Sequence, residues 1–217
     1  LAIPNEHKGK PIYIRVTSDG MATMKCDLAA GCGTGIAFGE SYDLTDPDFE
    51  MGAVLPESDS SVSVGLTPLT TAAAKKALTE IADAGSTVAA VASISNANSS
   101  VANTINDILG LTPSDDGYVA SITDVPVVDL TDAVDISTSL VGNDTIAIQI
   151  ASINAAVVSA VQADQPTLNI EDAIDAFTDA LAEGPLTNNT ATDGVTDLAE
   201  ILEDSGAVLA AVVTKIT

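Results

Sequence analysis

The residues best spaced for chemistry lie toward the C-terminal end, in "NTATDGVTDLAE" (189–200). Laid over a twelve-position calcium loop, Asn189 falls at position one, Asp193 at five, Gly194 at six, Asp197 at nine and Glu200 at twelve. Side-chain oxygens at that spacing suit a hard divalent cation. Ala191 stands at position three and removes a ligand. The plainer reading of the same residues is a capped turn, with Thr192 or Asp193 as N-cap, leading into an amphipathic helix. Calcium is the only cofactor for which the sequence offers ligands, and no other cofactor is expected.

Covalent catalysis needs a nucleophile, a base and a group that orients the base. The single histidine, His7, lies in the polar N-terminal stretch "LAIPNEHKGK", where an exposed side chain is expected. Carboxylates are plentiful, but aromatic residues make up 3% of the chain and Trp is absent, so the stacking platforms of a glycosidase are missing. No GxSxG, phosphate loop or dinucleotide fingerprint occurs. "GCGTG" follows a cysteine loop and reads as a turn, and the acid clusters "DLTDPDFE" (43–50) and "SDDG" (114–117) read as solvated turns. The sequence therefore leads to the expectation that the chain is not an enzyme.

Cys26 and Cys32 lie in "KCDLAAGCG". A zinc site needs four ligands, and two cysteines with one histidine do not supply them. A local disulfide is the stronger reading; closing so short a loop is worth roughly 2 kcal/mol in the chain-entropy model. A disulfide implies an oxidising compartment, hence an extracellular or cell-surface location. The first ten residues lack a signal-peptide layout, and the chain reads as a mature product or an excised fragment.

Acidity bounds the partners. With 31 acids against 7 bases the net charge is −24, and Arg15 is the only arginine. Nucleic-acid binding requires clustered cations, so it is not expected, and anionic membrane surfaces are disfavoured for the same reason. The longest apolar run, "TIAIQIASINAAVVSAVQA" (145–163), is interrupted by Gln149, Ser152, Asn154 and Ser159, and reads as a buried helix, not a membrane span.

The elements that would position these residues change type near residue 67. Before it, "KPIYIRVTSDG", "MATMKC", "GIAFGESYDL", "FEMGAVL" and "SVSVGL" alternate apolar and polar residues between Gly, Pro and Asp turns, as five short strands would. After it the period becomes helical. "TAAAKKALTEIADAG" follows a cap at Thr70 or Thr71, and "SSVANTINDILG" ends at Gly110. The 143–163 segment carries the stripe Ile146, Ile150, Ile153, Val157 and Val161. "NIEDAIDAFTDALAEG" is capped by Asn169, with Ile170, Ile174, Phe177 and Leu181 on one face. "TDGVTDLAEILEDSG" and "AVLAAVVTKI" follow as separate segments. The fold expected is α+β: a small N-terminal antiparallel β-sandwich over 1–66 with a local disulfide, joined to a C-terminal helical bundle over 67–217 that contains a long 111–142 connection.

"VSVGLTPLTTAAAKKA" and "ISNANSSVANTINDILGL" resemble segments of a family of secreted bacterial surface proteins and lipoproteins. In that family an immunoglobulin-like or carboxypeptidase-regulatory-like β domain runs into a helical region through a Val-Thr-Pro-Leu-Thr signature; "VPVVDLT" and "TDGVTDLAE" are similar to its downstream features. The resemblance implies cell-surface placement and a structural, adhesive or assembly role. The expectation is a non-enzymatic extracellular structural protein that forms a homo-oligomer or polymer, a surface layer or fibre, through its N-terminal tail. The alternative is a calcium-dependent adhesin or ligand-binding surface module.

Overall fold

The computed structural model describes residues 2–18, 21–32, 35–58, 61–82, 86–141, 144–184 and 198–216. Alternation builds the strands as expected in four places: β1 (Ile12–Thr17), β2 (Thr23–Lys25), β3 (Ser41–Asp43) and β4 (Glu50–Leu55). β1 pairs with β4, and β2 pairs antiparallel with β3 in the register Thr23↔Asp43, Met24↔Tyr42, Lys25↔Ser41. Two separate two-stranded sheets thus stand among the described residues where one sandwich was expected. The fifth expected strand, "SVSVGL", contributes only a single antiparallel bridge between Ser61 and Ala2. Its alternation is real, with Val62, Val64 and Leu66 half-buried, but apolar period alone does not supply a ladder partner.

Six helices occur among the described residues: α1 (Pro68–Ala82), α2 (Thr87–Leu109), α3 (Ala133–Val141), α4 (Thr145–Asp164), α5 (Ile170–Glu183) and α6 (Leu198–Ile216). α2 starts twelve residues before the expected "SSVANTINDILG", because Ser86 caps it: its Oγ accepts from the Ala89 amide. Gly110 in the left-handed region (φ 66°) ends it. α6 is one helix, running through Gly206 instead of breaking there. The 111–142 stretch is not a structureless connection. It includes α3, started by the Asp132 carboxylate accepting from the Val134 amide. It is also anchored at Val119, whose N–H and C=O both bond to the buried Asn106 amide (3.0 and 2.8 Å).

The chain divides into two compact units, each assembled from several stretches: 1–16, 50–126 and 178–185 in the first, 17–49, 127–177 and 186–217 in the second. The change from strand to helix after Leu66 falls inside the first unit.

The core of the first unit gathers Val54 of β4, Ala74 and Ala77 of α1, and Ile94 and Ala97 of α2, with Ile81 at its margin. Small residues at the α1–α2 contact let the helices pack closely, as an alanine-rich composition requires. Residues 2–10 belong to this unit and do not hang free: Ile3 is 6% exposed, the Gly9 amide donates to Ser58 O (2.7 Å), and Ser58 Oγ donates to His7 O (2.8 Å). The strand-to-helix joint is tighter than a simple cap. Thr67, not Thr70 or Thr71, is the N-cap: its Oγ1 accepts from the Thr70 amide (3.2 Å) while Thr70 Oγ1 accepts from the Thr67 amide (2.9 Å). That reciprocal pair is the capping-box arrangement, with Pro68 at the first helical position, where it loses no bond.

The second unit packs α4 against α6, with Ile148 and Ala155 facing Val208 and Val212, and with Val128, Leu130 and Ile136 joining the cluster. Of the expected α4 stripe, Ile150, Ile153, Val157 and Val161 are buried and Ile146 is half-buried. Residues Thr145–Gln162 are long and apolar enough to cross a membrane by length and composition, but 61% of that window is buried inside the protein. That burial supports its reading as a core helix.

Candidate functional site

The candidate site grows from the β2–β3 hairpin of the second unit. Between the two strands the chain runs through a loop whose ends are tied by backbone bonds from Cys26 N to Glu40 O (2.8 Å) and from Gly39 N to Cys26 O (2.7 Å). The expected disulfide is present: Cys26 and Cys32 are bonded, their Cα atoms 5.6 Å apart, and both are buried. Gly31 permits the return of this loop. Its φ is +93°, and a Cβ there would lie 2.7 Å from the Ile36 carbonyl oxygen.

Next to the disulfide stands Asp27, and on the paired strand Tyr42. Burial, slightly opposed by a bond to its own backbone amide and reinforced by the negative charge of Asp129, pushes the Asp27 carboxyl up to about 6. Burial likewise holds the Tyr42 phenol well above its ordinary range, and the charges of Asp27 and Glu171 add to it. Tyr42 is therefore a neutral donor at any physiological pH.

Glu171 comes from the first turn of α5. The predicted cap is in place, with Asn169 Oδ1 accepting from the Asp172 amide (2.8 Å). Glu171 is only 4% exposed and accepts from the Asp46 amide (3.1 Å) and Thr45 Oγ1 (3.3 Å). The acid cluster at 43–50 is thus partly organised by a buried carboxylate and is not a freely solvated turn.

Lys25 closes the other side, 2.6 Å from Asp129 Oδ2. Burial works against the Asp129 charge, yet the bonds from Lys25 and from the hydroxyl and amide of Thr131 outweigh it and hold the carboxyl below the ordinary range. The same bond raises the Lys25 ammonium. Two neighbouring carboxyls, Asp27 and Asp129, are therefore pushed in opposite directions by their surroundings. The chemistry open to the set is uptake and release of a proton at Asp27 around pH 6.

The other residues singled out from sequence fall elsewhere. Asn189, Asp193 and Asp197 lie outside the described residues, as does the side chain of Glu200, whose backbone is in the first turn of α6. Among the described residues no three His, Cys, Asp or Glu side chains are grouped so as to hold a metal ion. His7 is exposed. Asp115 in "SDDG" accepts from Thr112 Oγ1 and its amide (both 2.7 Å), bonds that lower its carboxyl and mark a self-contained turn. Asn98, in a sequon, is 2% exposed and donates from Nδ2 to Val54 O (3.0 Å).

Sequence reasoning did not find Asp27, Tyr42 or Glu171 as a set. The only local signals were the adjacency of Asp27 to Cys26 and the place of Glu171 after the Asn169 cap; their meeting depends on tertiary structure. No protein-family model matches this chain, and neither a curated protein nor a solved structure matches it.

Proposed function

We propose that the protein is a non-enzymatic structural protein of an extracellular or cell-surface setting, working by self-association into a layer or fibre. The observation that carries this reading is the joint after β4. The reciprocal Thr67–Thr70 cap fixes the start of α1, Thr71 Oγ1 bonds to Gly52 in the middle of β4, and Asn98 of α2 bonds to Val54 in the same strand. One strand is thereby fastened to two helices by buried bonds. An assembly that must hold its spacing is served by such a joint, whereas a binding module that closes on a ligand needs a hinge. The Cys26–Cys32 disulfide supports the oxidising compartment.

The test is sedimentation velocity of the full chain across protein concentration and salt. Self-association that grows with concentration and strengthens with salt is expected, because screening relieves the repulsion of a −24 chain. A single monomeric species throughout would refute it. The spacing in 189–200 favours a second reading, a calcium-dependent adhesin. Calorimetric titration with calcium, repeated on Asp193→Ala, separates the two: binding lost in the variant supports the adhesin, and no heat in either chain refutes it.

A further inference from the structure

We propose that the outer face of α3 is the surface on which a second copy of this chain docks, the same helix of each copy meeting the other. This rests on the self-association reading and names its contact. α3 has nine residues, of which only Ile136 is buried. Val134 and Val141 are 69% and 90% exposed, with Leu140, 50% exposed, on the flank. Val134, Thr138 and Val141 follow at steps of four and three, on the side of the helix opposite Ile136. Ser137 Oγ (2.9 Å) and Thr138 Oγ1 (2.8 Å) both donate to the Val134 carbonyl, so the hydroxyls between the two valines are turned onto the helix's own backbone. What faces outward is an apolar strip, and such a strip marks an interaction surface.

Charge and shape identify the occupant. No charged residue stands between Asp135 and Asp144, on a chain that carries −24. A cationic partner would be drawn to the acidic remainder of the surface, not to this strip. A lipid surface is served by helices with Lys or Arg on the polar face; α3 has neither, and Asp135 flanks the strip. A second copy needs no cation. About a two-fold axis at Ser137 and Thr138, Val134 of each copy lies over Val141 of the other, and the smaller residues between them let the helices approach. The opposing force is the charge beside the strip: Asp129, Asp132 and Asp135 act on one cation, Lys25, and leave an excess of negative charge. Salt therefore strengthens this contact, in keeping with the self-association reading. A nine-residue helix covers less than the ~800 Å² per partner of a standard interface, so the pair is weak by itself. Being two-fold it closes, and a layer or fibre needs a second contact besides it.

The test compares the full disulfide-bonded chain with Val134→Ser/Val141→Ser and with Val141→Glu by sedimentation equilibrium at low and high salt, with circular dichroism to confirm folding. Both variants are expected to weaken self-association at least tenfold. The serine pair changes no charge, so its loss belongs to the apolar contact alone. Val141→Glu alters only the most exposed position and stands in if the double variant does not fold. If the wild type associates and both variants match it, α3 is not the site and the self-association reading stands. A wild type that stays monomeric at every salt concentration overturns both. A monomeric wild type that binds phosphatidylcholine vesicles, and loses that binding in the variants, makes lipid the occupant and overturns the second copy.

Discussion

Thr71 Oγ1 lies 3.0 Å from the amide nitrogen of Gly52 and 3.4 Å from its carbonyl oxygen, so a side chain in the first turn of α1 occupies the hydrogen-bonding edge of β4. The same hydroxyl is 2.8 Å from Thr67 O, one turn earlier in the chain. Thr71 is 2% exposed, so water cannot replace it. Thr71→Val keeps the shape and leaves the Gly52 amide without a partner, which costs about 1–3 kcal/mol. Thr71→Ser retains most of the stability. Urea denaturation of the two variants checks this; equal loss in both would mean that packing of the methyl group matters and the hydroxyl does not.

Gly52 is constrained from the other side by Tyr13. A Cβ at position 52 would lie 2.6 Å from Tyr13 Cε2 and 2.9 Å from its hydroxyl. Tyr13 also donates to Glu50 Oε1 (2.7 Å), and burial together with that bond raises its phenol to about 12. Gly52→Ala is expected to displace the ring and cost about 1–3 kcal/mol. In a Tyr13→Ala background the same substitution costs far less. A double-mutant cycle measures the coupling, and additive losses would show that ring and glycine are independent.

Asp27 makes stability depend on pH in an identifiable window. Its folded carboxyl titrates near 6 against an ordinary 3.8, so between those values the folded state holds more protons than the unfolded one, and stability falls as pH rises. The contribution is present below about pH 4 and gone above about pH 6, and is on the order of 3 kcal/mol. Asp27→Asn removes this slope and makes the protein more stable than wild type at pH 7. Denaturation midpoints of both chains at pH 4 and 7 test it; parallel pH profiles would contradict it.

Reduction of Cys26–Cys32 frees a loop closed over a separation of six residues, with an expected loss of about 2 kcal/mol. The measurement is chemical denaturation with and without reductant, with a Cys26→Ala/Cys32→Ala chain as control. A reductant effect that persists in the control would come from elsewhere.

What could be read from sequence follows how local the determining physics is. Asn169 was legible as a cap because cap and first turn are adjacent in sequence. The stripe of α5 was equally legible, with Ile174 and Phe177 buried as their spacing requires. The disulfide was legible because two cysteines left one pairing. α3 was missed because it is only nine residues long and buries a single residue, Ile136, while Val134 and Val141 are exposed. The early part of α2 was missed for a related reason: Val88 is 80% exposed, and the Ala-Ser run shows little periodicity until Ile94 enters the core. The Thr67 cap was misplaced by three or four residues, because three threonines near a proline all satisfy a cap rule and only geometry chooses among them. The Asp27–Tyr42–Glu171 set joins residues up to 144 positions apart, and no local pattern encodes such a meeting.

Negative-stain electron microscopy of the full disulfide-bonded chain, with and without a calcium chelator, tests the structural role most directly. Ordered fibres or sheets that survive chelation are the expected result. Monodisperse single particles in both conditions, at concentrations where a surface layer would form, would contradict it.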